Sequence, residues 1–344
     1  MTNDQGFLHE VYSAFGGIAA FAQHHLAEHR LRQERLALLR DSIEQVVDAS
    51  EPRIRLVGNY AEKLLDAVEI GQHHCDGVLR HLPPALTLSG QAWAMDPRVN
   101  AFFATRDSLR TTLGLDPRVR AFFKESGQPE CFALLLMVKR ETETFGAALE
   151  GDLLVRDVRQ IQVSFSNHQL FFPNASESEL RKELRQRMLM FLASRALERI
   201  NELRERRGTL EEQRRQLQAQ LRALRGHAQG LRPLLSATDT DEHRLATLEQ
   251  RLAQTEGESI VARKQLGTLD DYLEQVRQVL GHPETYLQLH PLTLRLNRLG
   301  VKLDSDSPEP GETIALIELA SLGEQRIGAL VRFTRDELPP AEAD

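Results

Sequence analysis

Residues 200–235 read INELRERRGTLEEQRRQLQAQLRALRGHAQGLRPLL, and residues 245–280 read LATLEQRLAQTEGESIVARKQLGTLDDYLEQVRQVL. In the first run Leu203, Leu210, Leu217, Leu224 and Leu231 recur every seventh residue. They interleave with Ile200, Arg207, Arg214, Leu221, Ala228 and Leu235. The second run interleaves Leu245, Leu252, Ser259, Leu266, Leu273 and Leu280 with Leu248, Thr255, Ala262, Leu269 and Val276. A 3-4 apolar step kept over this length marks helices that supercoil around one another.

Between the runs lie Pro233 and Ser236-Ala-Thr-Asp-Thr-Asp241. Proline ends a helix at the residue before it, and aspartate and threonine start the next one. The two seams are equally long, so the chain is expected to fold back about residue 240. That register pairs Leu235 with Leu245 and Ile200 with Leu280. From 195 to 235 there are ten Arg against five Glu, and from 241 to 280 five Lys plus Arg against eight Asp plus Glu. A basic arm and an acidic arm attract, so they are expected to pair within one chain. Each arm would reach roughly 54 Å at about 1.5 Å per residue.

Arg207 and Arg214 occupy seam positions where leucine is usual. A fold about residue 240 puts Asp270, Asp271 and Glu274 near Arg207. The simpler reading is register-setting, with the arginine stems packed and the heads reaching water. The functional reading is a partner-docking site. Asp239, Asp241 and Glu242 make the expected tip acidic. In layout this arm is similar to the coiled-coil finger of the secondary-channel transcription factors, which is acidic at its tip. The likeness covers the arm alone and implies a regulator that inserts its tip into a larger machine such as a polymerase.

A second hairpin is expected before residue 90. Ile18, Ala22, His25, His29, Arg32, Leu36, Leu39, Ile43 and Val46 form one seam, and Ile54 to Leu82 another, around a break at Glu51-Pro52. That break brings Val46 to Ile54, Leu36 to Leu64, His29 to Gly71 and His25 to Cys75. His25 and His29 are one helical turn apart, with Cys75 opposite and His74 beside it. Imidazole and thiolate together suit zinc or a related transition metal, so these four residues are the candidate metal ligands. The competing reading is core histidines with Cys75 as a small buried hydrophobe.

Met95-Asp-Pro-Arg-Val-Asn-Ala-Phe-Phe103 recurs as Leu115-Asp-Pro-Arg-Val-Arg-Ala-Phe-Phe123. Asp-Pro opens a helix, and the valine and phenylalanines form its apolar face. Two short packing helices are expected, with Gly114 ending the first. From Cys131 the pattern turns to strands: Cys131 to Val138, Leu153 to Val158, then Ile161 to Phe165 and His168 to Phe172 joined by a Ser166-Asn167 turn. After His282-Pro283 come Leu292 to Leu296, Thr313 to Leu319 and, across a Leu322-Gly323 turn, Ile327 to Phe333. Neither set makes a comfortable core alone, so both are expected in one sheet.

The fold class that follows is α+β, predominantly helical. It comprises an N-terminal helical hairpin (1–90), the tandem helices (91–127), and a small, mostly antiparallel sheet split over 128–174 and 284–338. A long antiparallel coiled-coil arm (175–283) is inserted between the sheet segments, and 339–344 form a disordered tail.

A net charge of −7 gives no reason to expect nucleic-acid binding. Two cysteines cannot build a disulfide framework, which suits a reducing compartment and a cytoplasmic protein. The N-terminus reads as neither a signal peptide nor a membrane span. Phosphate-binding, dinucleotide, nucleophile-elbow and zinc-protease motifs are absent. The expected function is a non-enzymatic interaction or scaffold protein. Its arm would engage a protein partner or a second copy of the chain. The rivals are a metal-dependent sensor or enzyme and the tip-inserting regulator.

Overall fold

A computed structural model describes residues 30–150, 153–229, 239–304, 306–307, 309–321 and 324–339. Helix α1 covers residues 30–49. A 3-10 turn, Pro52–Leu56, leads to α2 (Tyr60–Arg80), β1 (Leu86–Thr87), α3 (Gly90–Met95), α4 (Pro97–Phe102), α5 (Arg106–Leu115) and α6 (Pro117–Ser126). Then come β2 (Glu130–Glu150), β3 (Leu153–Asn174), α7 (Glu177–Gln229), α8 (Asp239–Gln265), α9 (Leu269–Gly281) and α10 (Pro283–Tyr286). The last elements are β4 (Leu289–Leu296), β5 (Glu312–Ser321) and β6 (Glu324–Thr334). The fold is α+β with helix predominant, and a long helical hairpin is inserted between two groups of strands. The chain divides into two compact units. One runs to Gly71 and resumes over Met190–Pro283, and the other takes Gln72–Leu189 and Glu284 onward.

The second unit holds one sheet drawn from both chain segments, in the order β3-β2-β6-β5-β4, with β1 parallel to β6 and every other pair antiparallel. β2 pairs with β6 only from Glu130 to Val138, whereas it pairs with β3 from Phe132 to Glu150. Beyond Val138, among the described residues, β2 therefore pairs with β3 alone. The expected turn at Ser166-Asn167 does not form. β3 runs through it, and Asn167 takes a positive φ of 53° at a shift in register. Phe172 and Asp157, with φ of 55° and 59°, fall at the other two shifts. Each shift places one extra residue on β3, the geometry of a β-bulge, which bends and twists the strand. Asparagine favours left-handed backbone in a bulge as it does in a turn, so its presence alone does not distinguish the two.

The sheet also curls back on itself. Val163 N–H donates to Gly300 O and Lys302 N–H to Ile161 O, both at 2.8 Å, so the segment after β4 lies along β3. Leu303 N–H reaches Arg295 O at 2.8 Å. The turn needs Gly300, whose φ is +75°.

Alternate side chains of the sheet fill one core. Cys131, Ala133, Leu135, Met137, Ile327, Val331 and Phe333 pack there with Val99, Phe102, Phe103, Val119 and Phe123. Burying each large apolar side chain is worth about 1.5–3 kcal/mol. The duplicated motif therefore packs onto the sheet, as its phenylalanines suggest. Asp96 and Asp116 cap α4 and α6, and Arg98 and Arg118 fold back onto those caps at 2.7 and 2.8 Å. The expectation that Gly114 ends the first copy is corrected: α4 stops at Phe102, and Gly114 belongs to α5 between the copies. The opposite sheet face, at Ile317 and Leu330, is covered by Leu79, Leu82, Leu180 and Leu184.

In the first unit, α1 and α2 form the expected hairpin. Arg35 pairs with Asp66 at 3.0 Å and with Glu69, and Arg55 pairs with Glu44 and Asp48, both at 2.8 Å. α7 pairs with α8 and α9, but the second arm is broken. Residues 266–268 leave the helix, and a side chain on Gly267 would come within 2.6 Å of Arg263 O. Thr268 then starts α9 with a capping box to Asp271.

The register also differs from a fold about residue 240. Arg225 pairs with Glu249 at 2.7 Å, Glu211 with Arg263 at 3.5 Å and Arg199 with Gln275 at 2.8 Å, all centred near residue 237. Arg207 lies against Leu266, about one heptad from the expected Asp270, Asp271 and Glu274. A shift by one heptad preserves every apolar layer, so the seam pattern fits either register. The flanking charges distinguish them. The expected tip turn at 233–238, the Leu322-Gly323 turn and the tail from 340 lie outside the described residues.

Candidate functional site

The seam arginines sit in two different settings. α8 stops at Gln265, which leaves main-chain carbonyls without helical partners. Arg207 reaches across and donates Nη1–H to Leu266 O at 3.2 Å and Nε–H to Glu211 at 3.2 Å. The hydrogen bond from Arg207 holds the Glu211 carboxyl below its ordinary range. Arg207 is thus engaged at the end of α8. Arg214 falls one heptad further along, at the layer of Ser259, which is only 4% exposed. Its Nε–H is buried and, among the described residues, has no hydrogen-bond partner, and a buried donor left unpaired lowers stability.

The outer side of α8 is unusual for a coiled coil. Ser259, Ala262 and Leu266 are buried in the seam, but Ile260 and Val261 are each 56% exposed. Ala253 and Gly257 are exposed on the same outer face. Val261, Gly257, Gln254 and Arg206 line a shallow groove of about 360 Å³ on one flank of the arm. Gln218, Arg222, Arg225 and Glu249 line another of about 420 Å³. Ile260 and Val261 lie off the 3-4 stepping, and that was the sequence signal available for them.

Asp239 is the first residue of α8. The side chains of Asp239, Asp241 and Glu242 lie outside the description. His25 and His29 also lie outside the described residues, so the structure does not bear on the expected metal set as a whole. Cys75 is buried in α2, and burial pushes its thiol up to about 12. Such a thiol stays protonated at neutral pH and is a poor nucleophile. Cys131 is in the same state. His74 directs Nε2 at Leu287 O, 3.2 Å away. Among the described residues no group of three His, Cys, Asp or Glu side chains could hold a metal ion.

One cluster was not foreseen. Glu51, only 6% exposed, accepts hydrogen bonds from Arg53 at 2.8 and 3.0 Å and from Arg204. Both guanidinium groups lie over the Tyr272 ring, at 5.5 and 5.0 Å from its centre. Hydrogen bonding to Arg53, assisted by Arg204 and opposed by burial, lowers the Glu51 carboxyl to about 2. The α1–α2 turn is thereby tied to α7 and α9, and Lys63 adds a pair with Asp270 at 2.6 Å. In sequence Glu51-Pro52 reads only as a helix break.

No protein family, curated protein or solved structure matches this chain. Among the described residues no helix is long and apolar enough to cross a membrane.

Proposed function

We propose that the chain is a non-enzymatic interaction protein whose coiled-coil arm is the contact surface for a protein partner. The observation that carries this reading is the exposed Ile260-Val261 pair on the outer side of α8. Outward positions of a solvated two-helix arm are ordinarily polar, and apolar side chains there favour a surface that another protein covers. Ala253 and Gly257 extend that surface and let a partner approach closely. Two buried, free cysteines support a cytoplasmic setting for the same reading.

The test is retention of a partner by immobilised full-length protein, with Ile260→Glu/Val261→Glu beside wild type and Arg225→Ala. The reading expects wild type and Arg225→Ala to retain the same partner and the double variant to lose it. Equal retention by all three would refute the outer face of α8 as the contact. Light scattering on the purified chain shows whether the partner is a second copy.

A further inference from the structure

Within the sheet-bearing unit, the end of α2 and the start of α7 form a groove of about 600 Å³. Leu79, only 6% exposed, lies at its base. His73, Asp76 and Arg80 line it from α2, and Lys182 and Arg185 from α7. We propose that this groove docks an acidic, amphipathic peptide segment of a partner protein.

Charge and shape both point to that occupant. Arg181 also lines the groove but is engaged elsewhere: it donates to the carbonyls of Leu79, Leu82 and Pro83 at 2.6, 3.1 and 3.2 Å and pairs with Glu177. It holds the two helices in place, and its charge is largely satisfied. Arg185 faces Asp76 at 3.5 Å, with both side chains about 40% exposed. Lys182 is exposed and, among the described residues, has no ion-pair partner. Arg80 is exposed and gives its Nε–H to the Asp76 main-chain oxygen. Asp76 is the only carboxylate among the lining residues, against four cations. Cationic side chains around a lining made mostly of apolar atoms match a segment with carboxylates on its flanks and a leucine-type side chain between them. The lining residues span His73 to Arg80, about two helical turns, which sets the length of segment that fits.

The test uses fluorescence anisotropy of a labelled peptide of repeated Glu-Glu-Leu-Leu, with a Gln-Gln-Leu-Leu peptide as control. Full-length protein should bind the acidic peptide and bind the glutamine peptide on the order of tenfold more weakly. Arg80→Glu/Lys182→Glu should lose on the order of tenfold or more for the acidic peptide and should gain a Lys-Lys-Leu-Leu peptide. Ser178 also lines the groove, and Ser178→Lys, which adds a cation there, should tighten binding of the acidic peptide. Fluorescence of Trp93 and circular dichroism confirm that the variants are folded. Equal affinity of wild type and the double variant for the acidic peptide would overturn the proposal. So would full displacement by millimolar inorganic phosphate, which would mark a simple anion site.

Discussion

The sheet-bearing unit and the coiled-coil arm are stabilised on different plans. In the first, Phe102, Phe103, Phe123 and Phe333 share one core although Phe333 comes from the far end of the chain. Phe102 stands edge-on to Phe165 at 5.3 Å and Phe123 to Phe333 at 6.1 Å. In the arm, burial comes one layer at a time, at Leu210, Leu221, Ala262 and Leu266, and each layer is closed by its immediate neighbours. A shared core transmits damage throughout, whereas a layered seam confines it.

The largest effect is therefore expected in the shared core. Phe102→Ala should destabilise the sheet-bearing unit by about 3–5 kcal/mol. Trp93, the single tryptophan, reports on it, because its Nε1–H donates to Phe103 O at 2.8 Å. Urea unfolding followed by Trp93 fluorescence measures the loss. A cost below about 1 kcal/mol, less than half the usual price of such a cavity, would contradict a single shared core.

Next comes Glu51, where the first unit concentrates its buried charge. Its folded carboxyl titrates at about 2, below the ordinary 4.5. A depressed carboxylate stabilises the fold fully above its ordinary value, and that contribution disappears as pH falls through the folded value. The difference corresponds to roughly 3 kcal/mol, gained above pH 4.5 and gone below 2. Glu51→Gln should destabilise the helical unit at neutral pH, and its gap to wild type should close on acidification. Circular dichroism melts at several pH values test this, and a gap independent of pH would exclude the Glu51 carboxylate as the source.

A smaller and more local effect is expected from Leu221→Ala in the arm. The cost should be about 2 kcal/mol, the low end for leucine truncation, because a two-helix seam can close around the gap. Hydrogen exchange should quicken near residue 221, and the Trp93 transition should not move. A shifted Trp93 transition would show that the arm and the sheet-bearing unit unfold together.

Much of this contrast was legible in the sequence, because periodic burial leaves a periodic record. The 3-4 seams yielded the arm, and period-two alternation yielded β4 and β6. The Asp-Pro dipeptides yielded the starts of α4 and α6. What escaped was decided by tertiary pairing. Lys139 to Thr144 is polar, so the middle of β2 carries no apolar alternation. β1 is only two residues long. The break falls where Gly267 leaves no room for a side chain beside Arg263 O, and the Glu51 cluster joins residues from three distant segments. Of the candidate sites, Arg207 was legible as an anomaly in the seam, but its role at the end of α8 was not, since that end was hidden inside an unbroken apolar stepping.

The smallest expected effect bears on the arm register. Arg225 and Glu249 are 61% and 51% exposed, so their pair at 2.7 Å is solvated and screened. Such pairs contribute about 0.2–1 kcal/mol, and less at high salt. Arg225→Ala should therefore barely change the stability of the arm. Arg225→Glu should cost somewhat more, because it sets two like charges against each other, and Glu249→Arg should do the same. Combining them restores the attraction with its sign reversed. Recovery in the double variant requires residues 225 and 249 to be neighbours, which holds when the arm folds about residue 237. A fold about residue 240 would bring Arg225 near Thr255 instead, and the two substitutions would then simply add. Hydrogen exchange of the arm amides at low salt resolves the difference. Additive losses would shift the register by one heptad and detach Arg207 from the end of α8, while recovery that fades as salt is raised would match the observed pairing.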